Sequence, residues 1–200
     1  MAGIRQFDED VALDRAMDVF WQRGYGATSM QDLAAATGIL RGSLYHAYGD
    51  KQAIFLLVFE RYKERFLQAV QATLDQPDLR RALGDFFRLT IASMNQAGAA
   101  DPAQPGGPRG CLTTKTATDE TAGDELIRSA LRGLLDALER MLLARLSAAP
   151  HGSLTLPPKD AARLIVTATR GVVVMERVYH DQSQLKAIAK SLVGVLLRAD

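Results

Sequence analysis

The sequence predicts an all-α protein in which a small N-terminal unit of three helices is hung on a larger helical bundle. Three observations predict it. Apolar residues recur three and four positions apart in nearly every segment, no stretch alternates with the period of two that a half-buried strand requires, and glycine or proline breaks the chain between most segments. At 48% hydrophobic content, the 200-residue chain can build a core without disulfide staples.

The elements follow in order. Asp8 to Gly24 reads as an amphipathic helix: Asp8 caps it, Glu9 and Asp10 suit the positive end of the dipole, Ala12, Ala16, Val19 and Phe20 share a face, and Gly24 stops it. Thr28-Ser29-Met30-Gln31 has capping-box spacing, with Thr28 taking the amide of Gln31, and opens a short helix that ends at Thr37-Gly38. Arg41 to Tyr48 forms a third helix, broken by Gly49-Asp50 before a long helix from Lys51 to about Leu74. Two short helices joined by a tight glycine turn behind a supporting helix make a helix-turn-helix pattern. Beyond Pro77 the chain is helical to about Ala97, with Leu79, Leu83, Phe86, Phe87 and Ile91 in the apolar role, and Gly98 to Pro108 is expected to be a loop. Further helices are expected at Cys111–Glu120, Asp124–Leu146, Lys159–Tyr179 and Ser183–Leu197, with the breaker APHGSLTLPP before the last two.

Composition excludes several classes. A lone cysteine, Cys111, rules out an intramolecular disulfide framework, and MAGIRQFDED lacks the apolar core of a signal peptide, so a cytoplasmic chain is expected. No apolar run is long enough to span a membrane. His46, His151 and His180 are scattered, no Cys/His cluster has metal spacing, and no phosphate-cradling glycine loop or nucleophile elbow appears. The expectation is a non-enzyme with no cofactor and no metal. A net charge of +1 gives no global pull on polyanions, and Met1 to Lys51 carries five basic against seven acidic residues. Any nucleic-acid contact therefore rests on a few placed groups.

FWQRGYGATSMQDLAAATGILRGSLYHAYGDKQAIF resembles the DNA-binding domain of the tetracycline-repressor (TetR/AcrR) family of bacterial transcription regulators over Ala12 to Phe59. The resemblance rests on Phe20, Gly24 and Tyr25, the Thr28-Ser29 start, Asp32-Leu33-Ala34, Gly38, Leu44-Tyr45 and Lys51. It implies roughly nine helices, divided into a DNA-binding domain at 1–51 and a ligand-binding and dimerisation domain at 52–200. The implied partners are double-stranded operator DNA, a small-molecule inducer and a second copy of the chain. Arg41 suits a bidentate contact to guanine, Gly42 and Ser43 permit close approach, Ser43, Tyr45 and His46 can donate to bases or phosphates, and Thr28, Ser29 and Lys51 offer phosphate sites at helix starts. Taken singly, Arg41 reads first as a solvated charge, Leu44 as core and Tyr45 as a packing residue; their joint spacing reverses this and favours DNA. Leu40 and Ala47 depart from the family pattern, the first losing a capping oxygen and the second a phosphate contact, and Tyr48 replaces the commoner Phe. Arg5 reads as a flexible arm or a solvated terminus.

The C-terminal half is less specific. Leu164, Ile165, Ala168 and Val172, with Leu185, Ile188, Leu192 and Val195, lie on helical stripes that suit either a monomer core or, as the resemblance implies, a four-helix dimer interface. Gly171 and Gly194 permit close helix approach. Cys111, in RGCLTTKTATDE, resembles the Arg-Gly-Cys-Leu segment of one family subset in which a cysteine senses oxidants or electrophiles; Arg109, Lys115 and a helix start favour its thiolate, while a small buried residue is the plainer reading. Tyr62, Phe66, Phe86, Phe87, Met94, Met141 and Met175, with Cys111, are candidates for an apolar ligand pocket or for ordinary core. A dimeric helical adaptor without DNA binding is the alternative to a repressor.

Overall fold

A computed structural model describes residues 7–95, 110–119 and 123–198. Among them are nine helices: α1 (Glu9–Arg23), α2 (Met30–Thr37), α3 (Arg41–Tyr48), α4 (Lys51–Leu74), α5 (Leu79–Asn95), α6 (Leu112–Ala117), α7 (Glu125–Ser147), α8 (Pro158–Tyr179) and α9 (Gln182–Leu196). Extended pairing among the described residues is limited to one isolated antiparallel bridge, Leu154 with Leu197. The expected loop at Gly98 to Pro108, Arg5 and Arg109 lie outside the described residues.

Helix ends follow local chemistry. The Asp8 carboxylate accepts the amides of Asp10 and Val11 at 3.0 and 3.1 Å, which satisfies two donors that an α-helix leaves unpaired at its start. The second cap is displaced by one residue from its expected place. Ser29 is the N-cap of α2 and forms a reciprocal box with Asp32, whereas the Thr28 hydroxyl is buried and donates to the Gly24 carbonyl at 2.6 Å. An ionised carboxylate at the third helical position is a stronger acceptor than the Gln31 amide, and it selects Ser29. The sixth helix is shorter than Cys111–Glu120, with Cys111 as its N-cap.

The chain divides into two compact units, residues 1–63 with 97–131 and residues 64–96 with 132–200; α4 and α7 contribute to both. This is a division by packing; the division at residue 51 is one of role and belongs to the function proposed below. In the first unit α1 packs on α2 and α2 on α3. Phe20, Leu33, Leu44, Ile54, Phe55, Val58 and Phe59 are buried, with Phe55 edge-on to Phe20 at 5.2 Å and to Tyr25 at 5.0 Å between ring centroids. Each such side chain contributes about 1.5–3 kcal/mol on burial.

In the second unit α5 packs against α8 and α9. Its core joins Leu83, Phe86, Phe87 and Met94 to Ile165, Val172, Val173, Leu185 and Leu196. Three of the residues expected at a dimer interface, Ile165, Val172 and Leu185, are therefore spent in the protomer's own core. The exposed apolar face of α8 and α9 carries instead Leu164, Val174, Met175, Val178, Tyr179, Ile188 and Val195. Met175 is thus exposed on that face. Of the other pocket candidates, Tyr62 packs edge-on to Trp21 at 5.2 Å in the first unit, Phe86 and Phe87 are core of the second, and Phe66 and Met141 are half-buried. The Arg145 guanidinium locks the end of α4 and the turn after it, donating to the carbonyls of Leu74, Gln76 and Pro77 at 2.9–3.0 Å.

Candidate nucleic-acid interface

Helix α3 is fixed from behind. Leu44 is its one buried residue, so the side chains of Arg41, Ser43, Tyr45 and His46 are left exposed beside Gly42, where an added Cβ would meet nothing within 4 Å. The turn that aims α3 needs the left-handed conformation at Gly38 (φ 71°, ψ 15°), which glycine adopts without a Cβ clash. Arg15 holds that turn by donating to the Thr37 carbonyl at 3.1 Å.

Thr28, Ser29, Met30, Gln31, Arg41, Tyr45 and Lys51 line one open concavity of about 390 Å³. It brings together five of the eight residues expected to touch DNA, while Gly42, Ser43 and His46 are exposed on α3 outside its lining. The donors are prepositioned to different degrees. Lys51 is half-buried, donates to the Tyr25 carbonyl at 2.9 Å and sits 4.3 Å over the Tyr25 ring, which orders its ammonium at the start of α4. Arg41 lies over the Tyr45 ring at 5.5 Å.

Ser29 is not an available phosphate donor: its hydroxyl and amide both go to the Asp32 carboxylate, at 2.7 and 2.9 Å. Those two bonds, the hydroxyl first, together with Arg23 hold Asp32 below the ordinary carboxylate range. Among the described residues nothing accepts the amides of Met30 and Gln31, so they are the donors that the positive end of α2 presents to an anion. The Thr28 hydroxyl is likewise committed, to Gly24.

A second set of contacts was not legible in the sequence. The segment around α6 is bonded to the supporting helix: Trp21 Nε1 donates to the Gly110 carbonyl at 2.9 Å, Lys115 Nζ donates to the carbonyls of Trp21 and Gln22, and the Gly26 amide donates to the Asp119 carboxylate at 2.9 Å. Gln52 at the start of α4 donates to Asp124 at 2.6 Å. The Lys115 ammonium is thus directed at the C-terminus of α1.

Comparison with known proteins bears on these features. Residues 12–58 match the profile described as bacterial regulatory proteins, tetR family. The chain is 43% identical over 83 residues to the HTH-type transcriptional repressor ComR of Escherichia coli K12, a match covering 40% of each chain. It is 40% identical over 85 residues to the HTH-type transcriptional regulator YezE of Bacillus subtilis, covering 42% of this chain and 44% of that one. These matches span less than half the length of the curated relatives. A structure of a cysteine-substituted form of the TetR family regulator CifR, complexed with a 26-bp operator duplex, superposes with a TM-score of 0.81 at 28% identity, covering 96% of this chain and 98% of that one.

Proposed function

Because this chain belongs to the tetR family of bacterial regulatory proteins, we propose that it is a homodimeric repressor that binds a palindromic operator and is released by a small-molecule or electrophilic inducer. The observation that carries the DNA-binding part is the concavity in which Arg41, Tyr45, Lys51 and the uncapped amides of α2 converge. Arg41 reads a guanine edge, while Lys51 and the start of α2 take backbone phosphates on either side of the groove. Residues 1–51 supply the reading domain and residues 52–200 the ligand-binding and dimerising one.

Dimerisation supplies the second reading helix at a spacing of one DNA turn. Its proposed surface is the exposed face of α8 and α9, where Val178 and Val195 are 63% and 65% exposed and Gly171 and Gly194 leave room for a neighbouring helix. For induction, Cys111 is half-buried at the head of α6, and α6 is bonded to α1. Addition of the Cys111 sulfur to an electrophilic alkene carbon forms one S–C bond; the thiol proton passes through solvent to the neighbouring carbon. The added bulk displaces α6 and, through Lys115 and Asp119, the supporting helix of the reading domain.

The test is fluorescence anisotropy of the full chain on DNA from upstream of its own gene against a scrambled duplex, across a salt series and with an electrophile. Selective binding that falls steeply with salt supports the repressor. Equal affinity for both duplexes at low salt would argue for a helical adaptor instead.

A further inference from the structure

We infer that Leu40 is a base-reading residue that selects the C5-methyl group of a thymine beside the base contacted by Arg41; the inference rests on the DNA-binding reading above. Leu40 is 80% exposed, the most exposed large hydrophobic side chain among the described residues. A single exposed leucine is ordinary on a protein surface; its position is not ordinary here. It occupies the N-cap of α3, where Ser, Thr, Asp or Asn would bond an unpaired amide, and it makes no side-chain cap bond. Local helix stability therefore does not account for a leucine at this place. Packing does not either, because the helix is held down by Leu44, and the backbone at Leu40 (φ −57°, ψ 136°) departs from the helix before its side chain can join that buried row.

What surrounds it specifies the occupant. Arg41 follows directly and folds back over Tyr45, while Gly42 has open space where a side chain would stand, so the leading edge of α3 offers one apolar tip beside a guanidinium on a backbone able to approach closely. Residues at the N-terminal end of a reading helix meet base edges in the major groove, and the thymine methyl is the apolar feature displayed there. Phosphates and sugars give a leucine nothing to bond. The pairing predicts a thymine next to the guanine read by Arg41 in each half-site.

The test begins by enriching random-centred duplexes on the full chain and resynthesising the recovered sequence with deoxyuridine at each thymine in turn, which removes only the methyl group. Burial of one methyl predicts about fourfold weaker binding at one thymine per half-site. Leu40→Ser, a surface change that leaves Leu44 in place, is expected to bind parent and deoxyuridine duplexes alike at that position. The inference is overturned if a sequence is enriched yet every deoxyuridine duplex binds like its parent, or if Leu40→Ser keeps the sensitivity. Failure to enrich any sequence overturns the DNA-binding reading itself.

Discussion

Lys115 Nζ donates to the Trp21 carbonyl at 2.9 Å, across 94 residues of chain, and shares its charge with the Gln22 carbonyl. An ammonium at the C-terminus of α1 meets carbonyls that the helix cannot pair itself and the negative end of its dipole. Lys115→Met keeps the aliphatic stem and removes the charge. The expected cost is about 1.5–3 kcal/mol, the range for hydrogen bonds to charged groups, and at about 2–4 °C per kcal/mol in a chain of this size it is visible as a lowered Tm. An unchanged Tm would mean that the bridge contributes nothing.

The neighbouring contact makes a sharper test. A Cβ on Gly26 would stand 2.6 and 2.8 Å from the two Asp119 carboxylate oxygens, the same carboxylate that accepts the Gly26 amide. Gly26→Ala therefore expels Asp119 and loses that bond, at a cost of about 1 kcal/mol. In Asp119→Ala both the acceptor and the obstacle are gone. Chemical denaturation of the two single variants and the double is expected to give a double variant no less stable than Asp119→Ala alone, a coupling of about 1 kcal/mol. Additive losses would contradict it.

These contacts mark the limit of what the sequence discloses. Asp8, Gly24, Gly38 and the breaks at Gly49 and Pro77 act through bonds within a few residues, so their meaning is legible from spacing alone. Thr28 and Ser29 are adjacent hydroxyl residues, each with an acceptor three positions on, and only the carboxylate of Asp32 decides between them. Lys115 and Asp119 reach their partners across more than ninety residues and leave no local trace. The last two helices are apolar on more than one side: Ile165 and Leu185 face the protomer core while Leu164 and Ile188 face out. A periodic stripe reports that a face is apolar without reporting what covers it.

The Ser29–Asp32 box gives stability a pH dependence of fixed sign. Asp32 is held below its ordinary value of 3.8, first by the Ser29 hydroxyl. A carboxylate with a depressed folded-state value stabilises the fold fully above 3.8 and loses that contribution as pH falls through the lower folded value. Ser29→Ala is expected to cost about 1 kcal/mol near neutrality, and the difference from the parent is expected to shrink well below pH 3.8. Urea titrations at the two pH values measure it; a gap that widens in acid would be the wrong sign.

Arg41 and Lys51 are expected to fail in different ways. Arg41→Ala removes the proposed base reader and is predicted to cost about 1–3 kcal/mol on the preferred duplex while flattening preference at one base pair. Lys51→Gln keeps a donor toward the Tyr25 carbonyl but loses a charge, so binding to all duplexes weakens together and the slope of log K against log salt falls by about 1. Anisotropy across a salt series on matched and mismatched duplexes separates the two.

The two faces of the last helices make separable predictions for assembly. Val195 is 65% exposed, so an aspartate there meets only water in a lone protomer, but in an apolar interface it is a buried charge without a partner. Val195→Asp is expected to sediment as a monomer and to lose tight operator binding, since one reading helix makes half the contacts. Ile165 is fully buried in the second unit, and Ile165→Ala is expected to cost about 2–5 kcal/mol of stability through the cavity it leaves, with the folded fraction still dimeric. A Val195→Asp protein that sediments as a dimer would place the interface elsewhere, because no arrangement of α8 and α9 about a two-fold axis that buries this face can accept two added charges at no cost.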